Sequence, residues 1–234
     1  MAGFHKIIAN LRAALEHNPP AAAVHDGVAR ASLPVAADAR RAELLSRFAS
    51  ELERVNGHFI GTLSAADVCE RIVTLAREMD ARAVAVGDGV MIDMAPIAKA
   101  LEGAGLELIR TSRTSDAERP AIRDQLAKCD LAVVEAHYAI SSTGTLVMLA
   151  TPGSPGSLTL LPPANIIVVD AERVLPDMAA VVGALGTAAI TAHRIAFITG
   201  PSRTADIEKM IVLGVHGPKE LYAAAVWRNG AAPR

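Results

Sequence analysis

The chain has 234 residues, 51% of them hydrophobic and 3% aromatic, with 23 basic against 25 acidic side chains and a formal net charge of -2. That length can bury a full core, while the near balance of charge excludes a global field drawing the chain to nucleic acid or an anionic membrane. The few aromatics exclude a base-stacking RNA platform. No basic start with an apolar core and cleavage site opens the chain, and no segment approaches ~18 uninterrupted apolar residues, so a cytoplasmic location is expected.

Residues Phe4 to Glu16 read as a helix that Asn18-Pro19-Pro20 ends, because proline cannot continue it. The small-residue stretch Ala21 to Ala37 reads as a linker, which sets an N-terminal helix and linker over 1–37 apart from an α/β domain over 38–234. From Asp38, the residues Leu44, Leu45, Phe48, Leu52, Val55 and Phe59 recur at three and four, predicting one face of a helix that ends near Asn56-Gly57. Ser64 begins a second helix with Val68, Ile72, Val73 and Leu75 inward, followed by a strand over Ala83 to Val86 that Gly87-Asp88-Gly89 breaks. A helix over about Ile92 to Glu102, a strand over Leu106 to Ile109, a helix over Asp116 to Lys128 and a strand from Leu131 continue the alternation. Such alternation implies a largely parallel sheet covered by helices on both faces.

Beyond Leu131 the pattern changes. Leu131 to Ile140 and Thr145 to Leu149 read as strands joined only by Ser141-Ser142-Thr143-Gly144, too short for a parallel crossover, so they must pair antiparallel and make the sheet mixed. Thr151 to Pro163 is loop-like. Strands over Ile166 to Asp170, Ile195 to Thr199 and Leu221 to Trp227 follow, with a helix around Pro176 to Leu185. Between Ile198 and Leu221, the text ITGPSRTADIEKMIVLGVHGPKEL predicts strand, tight turn, helix, second turn and final strand.

Four places carry candidate chemistry. In Leu131 to Ile140, strand alternation puts Glu135 and His137 on one face, roughly 7 Å apart. A carboxylate and an imidazole there can act as base and acid, or simply as a solvated strand end. The turn with Thr143, Gly144 and Thr145 groups hydroxyls around a glycine that tolerates positive φ, which suits an anion and equally an ordinary Ser/Thr-rich hairpin. After Gly200, residues Ser202, Arg203 and Thr204 stand where a helix is predicted to start, so hydroxyls, backbone amides and a guanidinium would face one anion. The other reading is a cap with a surface ion pair. His216, in a glycine-flanked turn, faces either a cleft or its own backbone.

Cys69 and Cys129 have no partner at CxxC spacing, so no zinc or iron–sulfur site is expected from the cysteines of one chain, and both are expected to be small buried hydrophobes. The histidines at 5, 17, 25, 58 and 193 show no metal-ligand spacing, and no metal is implied.

The segments EAHYAISSTGT, LLPPANIIVVD and ITGPSRTADIEKMIVLGVHGPKEL, with the helix LSRFASELERVNGHFI, resemble the LUD-domain family, in its lactate utilization protein C branch, over about Ala39 to Val226. The resemblance implies a fold like that of the NagB/RpiA/CoA-transferase group. It also implies a cluster-free part in oxidising L-lactate to pyruvate, with iron–sulfur clusters on partner proteins and no cofactor in this chain. Arg203 and the amides after Gly200 would hold a small carboxylate or phosphate, Thr143 and Thr145 would line the pocket, and Glu135 or His216 would relay a proton. A non-catalytic assembly or regulatory subunit, and an acyl transferase working through Glu135, stand as alternatives. Relatives often carry an acidic residue before the TGT element, where this chain has Ser142, and a basic one near the segment that here reads SPGSLTLLPP.

Overall fold

The structure is a computed structural model describing residues 38–111, 118–151, 153–186, 192, 194–205, 211–213 and 217–227. The expected N-terminal helix and linker lie outside the described residues. Helix α1 (Asp38–Arg54) buries Leu45, Phe48 and Leu52, the stripe its spacing predicts. Fully burying side chains such as Phe48 and Leu52 contributes about 1.5–3 kcal/mol each. Asn56, at φ 63°, turns the chain into strand β1 (His58–Ser64). The sequence reading does not predict β1, because Gly61 sits in mid-strand at φ 121° and the pairing register shifts between Phe59 and Gly61, which breaks the alternation.

Ser64 caps helix α2 (Ala65–Glu78), accepting from the Asp67 amide at 3.1 Å, and Val68, Ile72, Leu75 and Ala76 face inward. There follow β2 (Ala83–Val86), α3 (Ala95–Gly103), β3 (Glu107–Arg110), α4 (Arg119–Leu126) and β4 (Leu131–Ala136). Helix α3 starts later than the spacing suggests, with Pro96 in its first turn, where a missing N–H costs nothing.

The predicted single strand over Leu131 to Ile140 is instead two strands in different sheets. The chain leaves the large sheet at His137 and enters the small one as β5 (Tyr138–Ile140), which pairs antiparallel with β6 (Thr145–Leu149). All residues on both sides of the break are buried, so polarity does not mark it. Strands β7 (Ala164–Asp170) and β8 (Val174–Leu175), helix α5 (Met178–Leu185), and strands β9 (Ile195–Ile198), β10 (Arg203–Ala205), β11 (Ile211–Leu213) and β12 (Glu220–Trp227) complete the described elements.

The large sheet has the order β1-β12-β7-β4-β2-β3, and every pairing in it is parallel. The antiparallel hairpin sits in a second sheet, β8-β5-β6-β9. One core lies between the large sheet, α1, α4 and the small sheet, and includes Phe48, Leu52, Leu126, Val134, Leu146 and Ile167. On the opposite face α2 and α3 cover Val84, Val133, Ile166 and Val168. Helix α5 covers the far side of the small sheet with Val181 and Leu185. In the large sheet the chain runs from β2 outward to β3, then back to β4 and on through β7 to β12. Neighbouring β2 and β4 are therefore the point where connections diverge, and the crevice beyond their C-terminal ends is where open α/β sheets bind ligands.

Candidate functional site

At that point the chain leaves β2 through Gly87-Asp88-Gly89. Side chains at these glycines would collide with their surroundings: a Cβ on Gly87 would lie 2.7 Å from Ser154 Oγ, and one on Gly89 would lie 2.0 Å from the Ile92 carbonyl oxygen. The loop then crosses the end of β4 and meets Glu135. Its carboxylate, 3% exposed, accepts hydrogen bonds from the amides of Val90, of Met91 at 2.9 and 3.1 Å, and of Ile92 at 3.3 Å. Burial pushes the Glu135 carboxyl up to about 7, against the opposing pull of those amides and of the Arg173 charge. A carboxyl held near neutrality can both take and release a proton at physiological pH.

Beside this loop lies a cleft of about 310 Å³, whose walls include Gly87, Asp88, Gly89, Asp93, Met94 and Arg110. Arg110, at the end of β3, pairs with Glu102 at 3.2 Å, and both are about half exposed. Asp93 accepts from the Ala95 amide at 3.0 Å, which fixes its side chain at the start of α3. The turn around Gly153 buttresses the cleft: its carbonyl accepts from the Asp88 amide at 3.1 Å and from the Thr111 hydroxyl at 2.7 Å. Of these residues only the Gly87-Asp88-Gly89 turn stands out in the sequence. Arg110 ends a four-residue strand, and no local spacing marks it.

The hydroxyl-rich turn forms a separate cluster against α1. Gly144 adopts φ 61°, and a Cβ there would lie 2.3 Å from the Leu52 amide nitrogen, so the turn seats directly on the helix backbone. The Ser141 hydroxyl donates to the Leu44 carbonyl at 2.8 Å. The Thr143 and Thr145 hydroxyls are 2.7 Å apart, and Thr145 is also 2.7 Å from the Thr199 hydroxyl. Next along, Gly200 at φ 85° presses on the Val55 carbonyl, and the Arg203 guanidinium donates to that same oxygen. The Ser202 amide donates to the Pro218 carbonyl at 2.8 Å, which makes the turn after Gly200 a neighbour of Gly217-Pro218.

Where the segment predicted to be a helix after Gly200 is described, it is strand. Arg203–Ala205 pair antiparallel with Ile211–Leu213 as β10 and β11. The hydroxyls and acidic residues imitate a helix start, but Thr204, Ile211 and Val212 are β-branched and suit a strand. Arg203 thus lies not at a helix N-terminus but beside the C-terminal end of α1, where a cation is favoured.

Thr143, Gly144, Thr145, Gly200 and Arg203 are brought together. Glu135 is not with them: it lies on the sheet face shared by Leu131 and Val133, opposite the face that α1 covers. Thr204 belongs to β10, and His216 lies outside the described residues. The His137 ring nitrogen Nδ1 accepts from the Leu149 amide at 3.3 Å. Cys129 is buried and its thiol is pushed up to about 11, chiefly by burial, while Cys69 is only partly buried. Among the described residues no group of three or more His, Cys, Asp or Glu side chains could hold a metal ion, and no helix is long and apolar enough to cross a membrane.

A family model described as the LUD domain matches residues 45–226. Similar proteins include a lactate utilization protein C of Halalkalibacterium halodurans, 35% identical over 41% of this chain and 43% of that one. Another is a lactate utilization protein C of Deinococcus radiodurans, 27% identical over 82% of this chain and 84% of that protein. An uncharacterized protein of Neisseria meningitidis is 27% identical over 79% of this chain and 82% of its own length. The matches to the Halalkalibacterium halodurans protein and to its Exiguobacterium counterpart span only 43% and 47% of those relatives. The crystal structure of a DUF162 family protein from Deinococcus radiodurans aligns with a TM-score of 0.59 over 82% of this chain and 99% of that one, at 22% identity, a likeness of fold.

Proposed function

Because the chain belongs to the LUD-domain family, we propose that it is the cluster-free subunit of a lactate utilization system, working with iron–sulfur partner proteins to oxidise L-lactate to pyruvate. The observation that carries this reading is the family match over residues 45–226 together with relatives named for lactate utilization. The geometry is compatible with it. A small polar cleft adjoins the loop that Glu135 holds, and a carboxyl near neutrality behind that loop suits a relay for a proton that a 2-hydroxy acid gives up in the cleft. Turning the hydroxyl carbon into a carbonyl releases two electrons and two protons: under this reading the electrons pass to the clusters of the partner proteins, and the protons, one from the hydroxyl and one from the carbon, are released to water.

Lactate-dependent dye reduction by this chain reconstituted with iron–sulfur proteins of a lactate utilization system from the same organism tests the reading. Omitting this chain is expected to abolish turnover. Full activity without it overturns the proposal.

A second reading, assembly without chemistry of its own, has one observation in its favour. Met178 and Val182 on α5 and Phe197 on β9 leave large apolar side chains exposed at 46%, 54% and 44% on or beside the outer face of the small sheet. Under this reading Val182→Asp abolishes co-purification of the iron–sulfur proteins, whereas Glu135→Gln leaves turnover intact.

A further inference from the structure

The cleft beyond β2 and β3 has a lining that narrows the chemistry of what it can hold. Its acidic side chains, Asp88 and Asp93, disfavour a multiply charged anion such as inorganic phosphate, because like charges repel in a partly desolvated site. Arg110 disfavours a metal cation for the same reason. A ligand with one negative charge and a hydroxyl satisfies both signs: a guanidinium fork receives a carboxylate through two parallel hydrogen bonds, and an ionised aspartate, which can only accept, receives a hydroxyl proton. At about 310 Å³ the cleft lies at the small end of ligand pockets.

The site is also prepared in advance. Glu135 fixes Val90 to Ile92 by their amides, Gly87 and Gly89 have no space for a side chain, and Asp93 is oriented by the Ala95 amide. The Ser154 hydroxyl, buried and without a hydrogen-bond partner among the described residues, packs against Gly87, which lines the cleft. Among the described residues Arg110 pairs with the half-exposed Glu102, an ion pair of a kind that contributes little, so the guanidinium can turn to a ligand at small cost.

We propose that this cleft binds a small 2-hydroxycarboxylate, with Arg110 on its carboxylate and Asp93 on its hydroxyl. Naming the acid as L-lactate rests on the lactate utilization reading; the pairing of one carboxylate with one hydroxyl does not. The site is separate from the Thr143 and Arg203 cluster on the other face of the sheet.

Calorimetric titration of the full chain with L-lactate, pyruvate and inorganic phosphate tests the assignment. L-Lactate is expected to bind, pyruvate to bind several-fold more weakly because it has no hydroxyl to donate, and phosphate to bind most weakly. Arg110→Ala is expected to weaken L-lactate roughly 10- to 100-fold, and Arg110→Lys to fall between, since an ammonium keeps the charge but not the fork. Asp93→Ala should make lactate and pyruvate equal. Unaltered lactate binding in Arg110→Ala, or no binding of any probe to the wild-type chain, overturns the proposal. Failure of the two readings is separable. Dye reduction that needs the chain but ignores Arg110→Ala removes this site alone, whereas lactate binding lost in Arg110→Ala, in a chain that dye reduction does not require, removes only the proposed function.

Discussion

Glu135 receives the Met91 amide on both carboxylate oxygens, at 2.9 and 3.1 Å, across 44 positions of sequence. Burial raises this carboxyl to about 7 from an ordinary 4.5. The folded chain therefore binds more protons than the unfolded one between those values, and the group's stabilising contribution is complete below the lower pKa and lost as pH rises through the upper one. The change is on the order of 3 kcal/mol. Urea midpoints measured from pH 4.5 to 7.5 are expected to carry this downward slope, and Glu135→Gln to remove it. An identical slope in the variant would assign the pH dependence to other groups.

Gly144 and Gly103 make a matched pair of substitutions. Alanine at Gly144 would meet both a positive φ of 61° and the α1 backbone, 2.3 Å from the Leu52 nitrogen. Gly103, at the end of α3, has no atom within 4 Å of its would-be Cβ. Gly144→Ala is expected to destabilise by more than about 2 kcal/mol, through αL strain and separation of α1 from the turn. Gly103→Ala should be neutral or stabilise by up to about 1 kcal/mol. Equal midpoints for the two variants in chemical denaturation would contradict this account.

The alternation in Leu131 to Tyr138 was enough to place Glu135 with Leu131 and Val133 and against Val134, and the three-and-four spacing of Leu45, Phe48 and Leu52 was enough to find α1. The exit at His137 could not be read, because β4 and β5 are equally buried and local pattern carries no information about which sheet a buried strand joins. The hairpin after Gly200 was masked by residues that both cap helices and occupy turns. The cleft was least legible of all: its loop is held by Glu135 from more than forty positions away, and Arg110 reaches it only because β3 lies beside β2. Tertiary contact, not propensity, assembles it.

Thr145 stands between two hydroxyls, Thr143 and Thr199, at 2.7 Å from each, and is 3% exposed. Thr145→Val keeps the shape and deletes the link. Thr143 and Thr199 are both exposed and can turn to water, so the loss is confined to the link itself and to the buried Thr145 position. A loss of about 0.5–1.5 kcal/mol is expected. Thr143→Val, which removes only an exposed end of the chain of hydroxyls, should cost less than half as much in the same unfolding experiment.

Arg203 and Gly200 both meet the Val55 carbonyl, but in different ways. The guanidinium donates to it from an exposed position at the end of α1, so its contribution is a screened, charge-assisted hydrogen bond. Arg203→Ala is expected to cost about 1 kcal/mol, with the loss shrinking in high salt as the Debye length shortens. Gly200 instead supplies the absence of a side chain: at φ 85°, a Cβ would lie 2.5 Å from the Val55 oxygen. Gly200→Ala must therefore push α1 away from the β9 end, at a cost of more than about 2 kcal/mol that salt does not relieve. Unfolding of both variants at low and high ionic strength separates the electrostatic tie from the steric one. Similar salt sensitivity in the two would show that the contact at Val55 is not divided between them in this way.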